Sequence, residues 1–252
     1  MHATWWGHST FLLQDAGTRV LFDPVLSGRL GHLRRRRGPQ PPPEAVHVDA
    51  VLVTHLHADH LHVPSLRRLG PAVRLVVPAG TARFLRSQRS ADDLADRCEE
   101  VVAGDSVRVG ELRVDVVAAT HDDRRHPLSR HRALPVEFVL TGSARTWFPG
   151  DTALHGSMVE LAPVDLAVVP VGGWGPNLGP GHLDPARAVQ ATQRVSAAAA
   201  IPVHYGTFWP VGLDRVRPEM FLPPGERFAE LAAVARPGMA VSVLAPGDSV
   251  EV

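Results

Sequence analysis

Four side chains able to bind a metal ion, His55, His57, Asp59 and His60, fall in one short stretch with the spacing H-x-H-x-D-H. Histidines two apart in an extended segment project to the same side, so His55 and His57 can share one ion. Asp59 and His60 follow after the chain has turned and can face a second point nearby. Neutral imidazole with carboxylate suits Zn²⁺, Mn²⁺ or Fe²⁺ better than Ca²⁺ or Mg²⁺. Histidine is frequent here, 14 in 252 residues, so a His-rich surface loop is the bland alternative. The acid inside the pattern and the apolar, β-branched run 48–53 leading into it favour a metal site at the end of a buried strand.

A two-ion site needs further ligands, and the later chain offers them singly. His121 follows the apolar run 117–120, Asp151 follows 147–150, and His204 follows 201–203. His182 stands just ahead of Asp184-Pro185, a helix start with Asp as N-cap and Pro at the first helical position. Each residue alone reads as a loop or capping group. Together, at strand exits and beside a helix start, they form a candidate constellation.

The elements that must position these residues can be read from the same chain. Residues 9–14 and 18–22 form a hairpin across Asp15-Ala16-Gly17, closed by Asp23-Pro24. Residues 27–47, with four consecutive arginines (Arg34 to Arg37) and a Pro-rich end, are expected to be a loop, of a length that is usually functional or mobile. Helices are expected over 63–70, 79–89, 184–195 and 225–234. Strands are expected over 74–77, within 99–117, over 136–140 and 145–148, and over 166–171, 200–203, 240–244 and 249–252, with a polar loop over 121–134. Two halves, each of strands followed by helices, predict an α/β protein: a four-layer αββα sandwich of two mixed sheets flanked by helices, in one domain over residues 1–252.

Composition narrows the function. Formal net charge is zero, which disfavours nucleic acid as a partner. Every basic residue is arginine, so no lysine nucleophile is available. Cys98 is the single cysteine, so neither an internal disulfide nor a cysteine-based zinc site forms, and its acidic surroundings suit an unreactive thiol. No secretory signal and no apolar run of membrane-spanning length is visible, so a cytoplasmic location is expected, with at most peripheral membrane contact.

The segments Thr54 to His60, Ala119-Thr120-His121, Phe148-Pro149-Gly150-Asp151-Thr152 and Pro202-Val203-His204-Tyr205-Gly206 carry a resemblance. In this order they resemble the metallo-β-lactamase superfamily of hydrolases. Trp6-Gly7-His8-Ser9-Thr10, Leu21-Phe22-Asp23-Pro24 and Gly181-His182-Leu183-Asp184 are similar to the branch containing N-acyl-phosphatidylethanolamine phospholipase D and the ascorbate-6-phosphate lactonases. The resemblance implies two divalent ions, Zn²⁺ first and Mn²⁺ or Fe²⁺ as alternatives. His55, His57 and His121 would hold one; Asp59, His60 and His204 the other; Asp151 would bridge them. Asp23 would orient a ligand imidazole. Two such ions activate a shared hydroxide for attack on phosphorus or a carbonyl carbon. Asp59 would orient that hydroxide or accept its proton, and His182 would bind or protonate the leaving oxygen. Trp174 and His182 are candidate substrate contacts, and the Arg34–Arg37 run could attract an anionic substrate. His8 is either a pocket residue or a structural hydrogen-bonding one, the latter favoured.

The expected activity is therefore hydrolysis of a phosphodiester, in a small or lipid-like anionic substrate. Lactone, carboxyl-ester or amide hydrolysis on the same scaffold is the alternative. A non-catalytic metal-binding scaffold is the alternative of another class.

Overall fold

The computed structural model describes residues 1–174, 178–216, 218 and 221–252. Period-two and continuous apolar runs build its strands. In chain order these are β1 (His2–Gly7), β2 (Thr10–Asp15), β3 (Thr18–Phe22), β4 (Arg29–Leu30), β5 (Leu33–Arg35), β6 (Ala50–Leu52), β7 (Arg74–Pro78), β8 (Cys98–Val101) and β9 (Ser106–Val109). There follow β10 (Leu112–Ala118), β11 (Val136–Thr141), β12 (Arg145–Phe148), β13 (Leu166–Pro170), β14 (Ala199–Val203), β15 (Phe208–Pro210), β16 (Ala240–Val241) and β17 (Ser249–Glu251). The helices are α1 (Val63–Leu66), α2 (Thr81–Arg86), α3 (Asp92–Asp96), α4 (Pro185–Arg194) and α5 (Pro224–Ala235).

Among the described residues these strands form two seven-stranded sheets, ordered β17-β1-β2-β3-β6-β7-β8 and β16-β14-β13-β12-β11-β10-β9. Each is mixed. Hairpins make β1–β3 and β9–β12 antiparallel, whereas β3, β6, β7 and β8, and likewise β12, β13 and β14, run parallel. The inner faces meet in one core, where Phe11 and Phe22 of the first sheet meet Phe138 and Phe148 of the second, and Phe22 stacks on Phe148 with centroids 4.2 Å apart. A second core lies on the outer face of the first sheet beneath α1–α3; α4 and α5 cover the second sheet. This is the αββα sandwich expected from the element pattern.

The expected helices are shorter at 63–70 and 79–89, ending as α1 and α2. Asp184 caps α4 as expected, its side chain accepting the Arg187 amide at 2.8 Å. The expected loop 27–47 is the main correction. It contains β4 and β5, which join β15 in a separate three-stranded sheet. Leu30 and Leu33 are its anchors, buried with Val25 and Phe208. Period-two signal is invisible in strands of two and three residues, so only their partner β15 reveals them. No helix among the described residues is long and apolar enough to cross a membrane.

Candidate metal centre

Every candidate ligand sits where a sheet strand runs out. The segment from Thr54 to His60 leaves β6, His121 follows β10, Asp151 follows β12 and His204 follows β14. Because parallel strands from both sheets point the same way, their exits gather at one end of the sandwich. Three of the exits are strained: Asp23, His8 and His204 have φ of 40°, 52° and 66°, the left-handed region that non-glycine residues avoid. Such backbone persists where surrounding structure overdetermines it, and it clusters at functional sites.

The side chains form overlapping groups. His55, His57 and His121 make one; Asp59, His60 and His204, with His8, make another; Asp151 faces His55 and His60 on one side and His121 and His182 on the other. His57 Nδ1 lies 3.1 Å from His121 Nε2 and His60 Nε2 3.2 Å from His204 Nε2. Asp151 Oδ2 is 3.2 Å from His60 Nε2 and 3.3 Å from His182 Nε2, and Oδ1 is 3.3 Å from His204 Nε2. The structure thus brings all seven candidate ligands together with His182. Asp23 sits directly behind, 2.7 Å from His60 Nδ1.

Outer partners set the tautomers. His60 Nδ1–H donates to Asp23, His121 Nδ1–H to the Gly181 carbonyl at 2.8 Å, and His204 Nδ1–H to the Gly172 carbonyl at 2.9 Å. Thr54 Oγ1 donates to Asp23 Oδ2 at 2.8 Å and so accepts from His55 Nδ1 at 3.0 Å. Each of these rings then turns an Nε2 lone pair inward. Sequence reading passed over Thr54 as a participant, although a hydroxyl next to a ligand histidine is the signal that could have marked it.

The inward groups fit a cation. With both Nδ1 atoms donating outward, the Nε2 atoms of His60 and His204 face each other at 3.2 Å, a pairing that a bound cation or a shared proton satisfies. His55 Nε2 and Asp151 Oδ1 are buried without a hydrogen-bond partner, a costly state for polar atoms that a bound ion removes. Electrostatics agree. Burial opposes charge on Asp59, but His60, His204 and His8 hold its carboxyl well below the ordinary range. Burial likewise opposes charge on Asp151, which His204, His60 and His182 hold well below that range. Burial, with neighbouring histidines, keeps His55 well below the usual imidazole value, and burial lowers His121 to about 4, so both offer neutral rings.

The sequence model of the β-lactamase superfamily domain matches residues 18–205. The chain belongs to the metallo-β-lactamase superfamily. It is 30% identical to a UPF0173 metal-dependent hydrolase of Opitutus terrae over the whole of both chains. It is 29% identical to N-acyl-phosphatidylethanolamine-hydrolyzing phospholipase D 1 of Caenorhabditis elegans, over 92% of this chain and 69% of that protein. Among solved structures, an isothiocyanate hydrolase from Delia radicum gut bacteria shares the fold, with a TM-score of 0.76 at 18% identity over 100% of this chain and 99% of the other. This superfamily member is a metal-dependent hydrolase.

The centre opens on a cavity of about 810 Å³. His57, Asp59, His121, Asp151, His182 and His204 form its floor, and Leu30, Leu33, Pro127, Trp174, Leu178 and Pro180 make a largely apolar wall. The turn of the β4–β5 hairpin brings His32 edge-on to Trp174, centroids 5.3 Å apart, on the cavity wall. None of Arg34 to Arg37 lines this cavity. Arg35 is instead half-buried over the Phe208 ring, donating to the Trp6 carbonyl at 2.9 Å. The lining guanidinium is that of Arg125, which donates to the carbonyls of Leu56 and Leu61 and thereby holds the loop that carries His55 to His60. Sequence reading left Arg125 inside a polar loop, because nothing local distinguishes it from its neighbour Arg124.

Proposed function

We propose that this hydrolase cleaves a phosphodiester whose substituent is apolar or lipid-like, using two divalent ions, Zn²⁺ in first place. His55, His57 and His121 would hold one ion and Asp59, His60 and His204 the other, with Asp151 available to both groups. Residues 1–252 act as one hydrolase domain. The observation that carries this reading is the position of His182: its Nε2 is 3.3 Å from Asp151, between the convergent ligands and an apolar wall. A side chain so placed meets the reacting group on one side and its substituent on the other. The phospholipase named above supports the same substrate class.

Bound divalent ions supply water made acidic near neutrality and polarise a phosphoryl or carbonyl oxygen. The chain supplies the rest. Asp59, kept charged by the histidines around it, would orient the attacking water. Burial works against the charged form of His182, yet Asp151 raises its pKa above the ordinary value, so it is suited to deliver a proton to the departing oxygen. Trp174 and Leu178 exclude water and hold the apolar substituent.

A second reading, hydrolysis of a lactone or carboxyl ester, draws on one observation: the Arg34–Arg37 run lies outside the cavity wall, which leaves fewer cations for an anionic substrate. Turnover of bis(p-nitrophenyl) phosphate and of p-nitrophenyl esters by metal-loaded protein separates the two, with Asp151→Ala as control. The proposal expects a higher kcat/KM on the phosphodiester and a loss of both activities in the variant. Equal rates in wild type and Asp151→Ala would sink it, and a preference for esters would replace it with the second reading.

A further inference from the structure

His8 stands in the group of Asp59, His60 and His204 but is not one of the seven candidate ligands. It is 1% exposed and lies in the turn between β1 and β2, far in sequence from the loop that carries His55 to His60. Its Nε2 is 2.9 Å from Asp59 Oδ2, and its ring lies on that of His204 with centroids 4.0 Å apart. The same Asp59 oxygen faces His60 Nε2 at 3.8 Å and His204 Nε2 at 3.7 Å. We propose that His8 is a positioning residue that donates its Nε2–H to Asp59 and aims that carboxylate at the second ion. The inference rests on the reading of Asp59 as a ligand.

Three observations carry it. The first is polarity. A carboxylate accepts only, and at 2.9 Å this is the shortest imidazole contact that Asp59 makes, so a proton on His8 Nε2 gives it a hydrogen-bond donor. His8 thus stands behind Asp59 as Asp23 stands behind His60, with donor and acceptor reversed. Outer partners of this kind govern metal affinity.

The second is backbone. His8 has φ of 52° and follows Gly7 with φ of 100°, next to a register shift in the β1–β2 pairing. A histidine needed only for packing would not require this conformation. The turn is held from four directions: the His8 amide donates to Thr207 Oγ1 at 2.8 Å, while its carbonyl accepts Trp5 Nε1 at 2.8 Å and the His204 amide at 3.0 Å, and Arg35 donates to the Trp6 carbonyl. A Cβ on Gly7 would stand 2.6 Å from Thr207 Cγ2 and 3.0 Å from Arg35 Nη1, so no side chain fits between the turn and its supports.

The third is what supports the ring. Phe208 meets His8 edge-on with centroids 5.8 Å apart and carries the Arg35 guanidinium 4.9 Å above its own face. Arg35 of the arginine run therefore acts on the centre through Phe208 and His8, without contacting substrate.

Chelator-competition titration of Zn²⁺ into metal-free wild type, His8→Asn and His8→Gln tests the proposal. Asn tolerates the left-handed backbone but ends near the position of Nδ1; Gln extends its amide to that of Nε2. The expectation is that His8→Asn weakens one of the two ions by about 10–100-fold and leaves the other unchanged, while His8→Gln recovers most of the loss. Wild-type affinity for both ions in His8→Asn overturns the proposal. So does an equal loss in both variants accompanied by equal drops in the unfolding temperature of the metal-free proteins, which is the signature of packing. No Zn²⁺ bound by wild type would instead defeat the metal centre itself.

Discussion

A carboxylate behind a ligand imidazole does two things at once: it fixes the tautomer and it raises the basicity of the opposite nitrogen. Asp23 does both for His60 while also accepting the Thr54 amide at 2.8 Å and the Thr54 hydroxyl, so it ties the strand exit to the ligand. Asp23→Asn keeps shape but removes the charge. It should lower metal affinity by about 10–100-fold with little change in the fold, as read by chelator competition and circular dichroism. At the opposite extreme stands Cys98, where burial pushes the thiol up from 9.0 to about 12. The folded state then keeps its proton through a pH range in which the unfolded chain releases it. Native Cys98 should react with iodoacetamide at pH 8 at least about tenfold more slowly than in denaturant, since the thiolate is the nucleophile. This thiol also contributes to alkaline unfolding: native stability is unaffected below pH 9 and declines as pH rises from there toward 12.

At the scale of elements, the site depends on close approach between the two sheets. Gly150, just after β12, has φ of 59°, and a Cβ there would lie 2.4 Å from Thr54 Oγ1 and 2.6 Å from Thr54 Cβ. Any side chain must push β12 away from the exit of β6, separating Asp151 from His55. Gly150→Ala should cost about 1–3 kcal/mol in urea unfolding, from overpacking and backbone strain together. Metal content should fall with it, because the displaced atoms are those between Asp151 and the Thr54–Asp23 pair. The β4–β5 hairpin has the opposite character. It is pinned by a small apolar cluster, by β15 and by the Arg35 side chain, and it forms one wall of the cavity. Changes there act on substrate choice before they act on stability.

For the whole molecule, both sheets share one core but contribute different candidate ligands. Asp23 and the segment from His55 to His60 follow strands of the first sheet; His121, Asp151 and His204 follow strands of the second, and His182 stands just before α4. An ion held by both therefore binds the folded chain and not the unfolded one. Stripping with EDTA should lower the unfolding temperature, and added Zn²⁺ should restore it. At a thousandfold excess over Kd the stabilisation is about 4 kcal/mol. An unfolding temperature indifferent to chelator and to Zn²⁺ would contradict the joint centre.

The H-x-H-x-D-H spacing, the single residues at strand exits and the order of strands and helices were all legible in the chain, because a strand's period and a ligand pair's spacing are local properties. They determined the sandwich and the candidate ligands. The tertiary structure alone decided what depends on distant partners. It placed His8 on Asp59 across 51 residues. It turned Arg35 inward onto Phe208 and put Arg125 beneath the loop that carries His55 to His60. It also made strands of Arg29–Leu30 and Leu33–Arg35, by supplying β15 from more than 170 residues away. An arginine's surroundings and a two-residue strand's partner are set by what the rest of the chain brings to them, and no local pattern records that.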